Sequence, residues 1–106
     1  MSTTRLERLL AMLSESPSDS FLLFAVAKEY EGLENGQEAL AYYRQLVASD
    51  PNYVGVYYHL GKLLEEWATP EEALGVYDQG MAIARAQNDQ HAYNELAGAK
   101  LNCEMG

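Results

Sequence analysis

Lys28 and Lys62 stand 34 residues apart and are two of the chain's three lysines, in a sequence with 16 acids against seven bases and a net charge of -9. The same company surrounds each: Phe24 or Tyr58 four residues before, Glu31 or Glu65 three after, with Ala25 or His59 in between. Ammonium groups capture carboxylates, and an aromatic neighbour adds an apolar edge, so this spacing points to holding an acidic or C-terminal carboxylate ligand. The same residues support a plainer chemistry. Lys28 with Glu31, and Lys62 with Glu65 and Glu66, fall at helical i,i+3 and i,i+4 spacing, where they would form solvated pairs that hold nothing else.

Other chemistries find less support. His59 and His91 have no second nitrogen, thiol or carboxylate at ligand spacing on their own helices beyond acids explained as surface charge, so no metal site is expected. The serines between positions 14 and 20 cluster around a turn, where hydroxyls cap helices, and no triad assembles around them. The glycines are scattered singly, which is no phosphate cradle. No catalytic residue and no cofactor are therefore expected. Cys103, the one cysteine, reads as a small apolar residue or an exposed thiol and points to the cytoplasm. The acidic balance repels phosphate backbones and anionic lipids, so nucleic acid and membrane are poor partners. The apolar run Leu9 to Leu13 is too short for a signal segment or a span. At 106 residues, 48% hydrophobic and 22% charged, the chain reads as one folded domain over 1–106.

The elements that must position these residues are helices. Thr4 with Glu7 makes a capping box that opens a first helix over 4–14, with Leu6, Leu9, Leu10 and Leu13 on one stripe. A second helix follows Ser18, buries Leu22, Leu23, Val26, Ala27 and Tyr30, and stops at the turn dipeptide Asn35-Gly36. The third runs from Gln37 to Ser49, burying Leu40, Tyr43, Leu46 and Val47, and ends before Pro51. Asn52 is the expected cap of a fourth helix, Tyr53 to Trp67. Thr69, Pro70 and Glu72 open the fifth, which reaches Ala86. Asn88-Asp89 restarts the chain as a sixth helix, 89–104, with Tyr93, Leu96, Ala97 and Leu101 on one side. No segment alternates with period two.

Much of the chain repeats at a period of 34 residues: Pro17 with Pro51, Gln37-Glu38-Ala39-Leu40 with Glu71-Glu72-Ala73-Leu74, Tyr43 with Tyr77, Ala27 with Gly61. Each helix pair would bury one stripe internally and leave another for its neighbour. Small residues at Ala27, Ala39, Gly61 and Ala73 let paired helices approach. Tyr43 and Tyr77 are expected to fill the space between successive pairs, and Gly55, Gly75 and Gly80 to mark close backbone approach.

On these residues the chain resembles the tetratricopeptide repeat family, whose unit is a 34-residue helix-turn-helix ending in proline. One unit would be 20–53, with Ala27, Tyr30, Ala39, Tyr43 and Pro51 at the family's positions. The next would be 54–87, with Tyr57, Leu60-Gly61, Ala73, Tyr77 and Gly80. Its terminal proline is replaced by Arg85. The resemblance implies an all-α fold, a short right-handed α-solenoid of antiparallel helix pairs, with the first helix standing as half of a preceding unit and the sixth as a cap. It also implies a non-catalytic scaffold that binds another protein or a peptide in a concave groove lined by the first helix of each pair. The groove set is then Phe24, Lys28, Glu31, Tyr58, His59, Lys62 and Glu65. Members that hold chaperone tails use a lysine and asparagine arrangement that this sequence does not reproduce, Phe24 standing where one lysine would be. The alternative is a self-assembling element. Helix one shows Leu6, Leu9, Leu10, Met12 and Leu13 around much of its circumference, whereas helix six offers Asn94, Glu95, Lys100 and Asn102 as a polar closure, so a homodimer through helix one is the competing expectation.

Overall fold

The structure is a computed structural model that describes residues 4–106, so the first three positions of the expected 1–106 domain lie outside it. Six α-helices follow in order: α1 (Arg5–Glu15), α2 (Ser20–Gly32), α3 (Gly36–Ser49), α4 (Gly55–Trp67), α5 (Pro70–Ala86) and α6 (Gln90–Met105). Among the described residues there is no strand, and no helix is long and apolar enough to cross a membrane.

Local chemistry explains where each helix begins. At α1 the capping box is complete: Thr4 Oγ1 accepts from the Glu7 N–H at 3.1 Å, and Glu7 Oε1 accepts from the Thr4 N–H at 3.0 Å. That backbone hydrogen bond holds the Glu7 carboxyl below its ordinary range. Asp19, rather than Ser18, caps α2, its carboxylate accepting from the Leu22 N–H at 3.0 Å; a charged acceptor gains more than a hydroxyl at the positive end of a helix dipole. Asn35-Gly36 is not the turn. Asn35 caps α3 by accepting from the Glu38 N–H at 3.3 Å, and the reversal falls on Glu34, left-handed at φ 60°. α4 opens from Val54 without a side-chain cap, so the start lies beyond Asn52; the Tyr53 N–H instead donates to the Asp50 carbonyl at 3.1 Å and closes the turn first. Thr69 Oγ1 accepts from the Glu72 N–H at 3.2 Å with Pro70 in the first turn of α5. Asp89 caps α6 after Asn88 turns the chain at φ 57°.

The helices gather in two compact units, one ending at Tyr53 and the other beginning at Val54. In the first, α2 packs on α3 and α1 on α2, around Leu23, Val26, Ala27, Ala39, Tyr43 and Leu46, all fully buried. The Ser20 hydroxyl donates to the Asp50 carboxylate at 2.7 Å, tying the start of α2 to the end of α3. Tyr30 is half-buried, not core. It stacks on Tyr42 at 5.7 Å with the rings inclined by 16°.

The second unit packs α5 against both α4 and α6. Its centre is a pair of large-on-small contacts. The Tyr77 ring lies over Gly61, close enough that a methyl there would fall 2.7 Å from Cδ1, and Gly80 meets Tyr57, whose Cβ would stand 2.5 Å from such a methyl. Tyr77 therefore fills space inside its own helix pair, because Gly61 leaves a gap there that only a ring can occupy. Gly75 departs from expectation. It is exposed, with no atom that an added methyl would meet within 4 Å. Leu101 departs too, since 55% of it is exposed while Leu96 and Ala99 are buried. With Met105 77% exposed beside it, the outer side of α6 is apolar rather than the polar closure that Asn94, Glu95 and Asn102 suggested.

Candidate functional site

Each unit contributes one copy of the lysine-centred set. On α2, Phe24 is half-buried between two rings, 6.0 Å from Tyr43 and 5.5 Å from Tyr53. Lys28 is one turn on and exposed, and Glu31 is half-buried. On α4, Tyr58 and His59 meet edge to face at 5.6 Å. Lys62 is exposed and Glu65 half-buried. Within each unit the aromatic, the lysine and the glutamate thus share one helix.

The glutamates do not serve the lysines. Glu31 accepts a hydrogen bond from the Tyr43 hydroxyl, and Glu65 accepts one from the Tyr77 hydroxyl, 12 residues on in both cases. Both phenols are wholly buried residues of the second helix of their pair. Burial pushes each far above the ordinary phenol range, and the hydrogen bond to the carboxylate pushes the same way, so the proton stays on oxygen and the hydroxyl is a permanent donor. A buried hydroxyl must find an acceptor, whereas an exposed ammonium is satisfied by water, and that difference decides which partner the carboxylate keeps. Among the described residues neither Lys28 nor Lys62 forms an ion pair. The plain reading that paired Lys28 with Glu31 and Lys62 with Glu65 is replaced by these bonds between helices.

This Tyr–Glu couple is the feature that reading residue by residue overlooks, although both of its members recur at the period of 34. A second such feature lies at the α5–α6 turn. Arg85 Nη2 donates to the Tyr93 hydroxyl at 2.8 Å, with its guanidinium carbon 4.9 Å from the ring centroid. An open hollow of about 190 Å³ beside it is lined by Arg85, Asn88, Asp89 and Tyr93 among others. A larger groove, about 320 Å³, lies on α1 between Arg5, Arg8, Leu9 and Met12. Cys103 is half-buried with Sγ 3.9 Å from the Pro70 carbonyl, and burial raises its thiol. No group of three or more histidines, cysteines or acids among the described residues is placed to hold a metal ion.

Solved structures resemble this chain closely. A crystal structure of a tetratricopeptide repeat domain protein from Salinibacter ruber is 43% identical, with a TM-score of 0.78, over 81% of this chain and 96% of its own. A solution structure of a tetratricopeptide repeat domain protein from the same organism is 43% identical, with a TM-score of 0.79, over 83% of this chain and 89% of its own. A solution structure of a Bordetella parapertussis protein is 28% identical, with a TM-score of 0.83, over 98% of this chain and 90% of its own. No family sequence model matches the chain, and no curated protein does.

Proposed function

This chain belongs to the tetratricopeptide repeat family, and we propose that it is a non-catalytic scaffold in which the exposed face of each unit's first helix holds a segment of another protein. A scaffold for protein partners is the role that an all-α chain of such helix pairs supports. The finer reading assigns the contact to Phe24, Lys28 and Glu31 on α2 and to Tyr58, His59, Lys62 and Glu65 on α4, and makes the ligand an acidic segment. One observation carries it. The glutamate beside each lysine is engaged by a tyrosine of the neighbouring helix, which leaves an exposed ammonium next to an aromatic ring once per unit. An acidic peptide would find charge and apolar surface together there.

The test is a panel of short fluorescent peptides rich in Asp and Glu, read by anisotropy at low salt. The wild type binds at least one member, and Lys28→Glu with Lys62→Glu weakens that binding tenfold or more while circular dichroism stays helical. Unchanged binding in the double variant removes the lysines from the reading. A second reading, self-association through α1, is favoured by the groove at Leu9 and Met12 and by Met12 being 54% exposed.

A further inference from the structure

The contacts between α4 and α5 define how a second helix receives a first. Tyr77 covers Gly61 and bonds Glu65, Gly80 meets Tyr57, and Ala73 lies buried on the same face. Two periods earlier, Ala73, Val76, Tyr77 and Gly80 become Arg5, Arg8, Leu9 and Met12. Those four residues line the groove on α1. α1 is thus a second helix whose receiving face is open.

α6 is the converse. The run Tyr57 to Leu60-Gly61 reappears as Tyr93 to Leu96-Ala97, 36 residues on, because α5, at 17 residues, is longer than α3, at 14. On that register Gly61 becomes Ala97, still small, and Glu65 becomes Leu101. The exposed position of Leu101 is then the place where a second helix would bring its ring. Both halves of the polar couple have changed together: Leu9 stands where tyrosine stands in α3 and α5, and Leu101 where glutamate stands in α2 and α4. A leucine facing either a phenol or a carboxylate would leave a polar group without its bond, but leucine facing leucine leaves none.

We propose that α1 of one copy pairs with α6 of a second copy, rebuilding between molecules the helix pair that α4 and α5 form within one. The proposal rests on the self-association reading and replaces a symmetric α1–α1 contact with a head-to-tail one. Leu9 meets Ala97 and Leu101, and Met12 lies opposite Tyr93. The antiparallel sense carries Arg5 and Arg8 to the last turn of α6, at Glu104. Arg5 is already bonded to Glu29 at 3.0 Å, so Arg8 supplies the new pair. Lys100, on the same side of α6, is neutralised by Asp78 at 2.7 Å and does not repel it.

Sedimentation velocity on the 106-residue chain across a concentration series tests the pairing. A head-to-tail contact leaves one open surface at each end of a dimer, so the mean mass rises past that of a dimer. Met12→Glu disables the α1 surface and Leu101→Arg the α6 surface, both at exposed positions that leave the fold intact by circular dichroism. Each variant alone is monomeric. Mixed in equal amounts they form a one-to-one complex, because the intact α6 of the first meets the intact α1 of the second. A Leu101→Arg chain that still associates overturns head-to-tail pairing while sparing self-association through α1. A monomeric wild type overturns both, and a mixture that stays monomeric overturns the proposal by itself.

Discussion

Tyr43 and Tyr77 are the residues on which each unit's two main helices are closed, and their hydroxyls are also the groups that charge at alkaline pH. The unfolded chain releases these protons near the ordinary phenol value of 10.0, whereas the folded chain retains them. Below that value both states carry the protons and the couples add no pH slope. Above it the unfolded state binds fewer protons than the native one, so stability falls as pH rises past about 10. Tyr43→Phe with Tyr77→Phe should shrink that alkaline loss in denaturant titrations followed by circular dichroism. At neutral pH each substitution should cost about 1–3 kcal/mol, the range for a hydrogen bond to a charged acceptor. A double variant as stable as wild type would mean that the two glutamates satisfy themselves in water.

At the scale of the helices, the glycines divide by what lies over them. A mid-helix glycine normally costs about 0.5–1 kcal/mol against alanine, so Gly75→Ala, at an open position, should raise stability by about that much. Gly61→Ala puts a methyl into the Tyr77 ring and should lower it by about 1–3 kcal/mol, as overpacking does. Urea midpoints of the two variants moving in opposite directions is the result to look for. The sequence makes the helices and their caps legible because capping is local chemistry: the Thr4 and Glu7 box, Thr69 before Pro70 and the repeated alanines and tyrosines each need only nearby residues. Apolar stripes carry less. They say which side of a helix is apolar and not whether anything covers it, so Leu101 and Tyr30 read as core and are not. The lysine set is legible as a spacing, but Lys28 and Glu31 sit on one helix and look like a pair until the phenol of Tyr43 is placed between helices. Competition from a buried donor on another element does not show in i,i+3 counting.

For the whole molecule the decisive quantity is a charge of -9 carried by 106 residues. Repulsion among sixteen acids opposes compaction. Raising sodium chloride from about 0.01 M to about 0.15 M shortens the screening length from about 30 Å to about 8 Å, so the thermal midpoint should climb over that range. A falling midpoint would mean that favourable pairs such as Lys100 with Asp78 outweigh the general repulsion.

One hydrogen bond has a genetic corollary. Glu31 with Tyr43, and Glu65 with Tyr77, each begin and end inside a single stretch of 34 residues, so duplicating that stretch in frame copies donor and acceptor together. A gene can therefore lengthen or shorten this protein by whole cassettes without orphaning a buried phenol, whereas a cut placed between a glutamate and its tyrosine would always strand one.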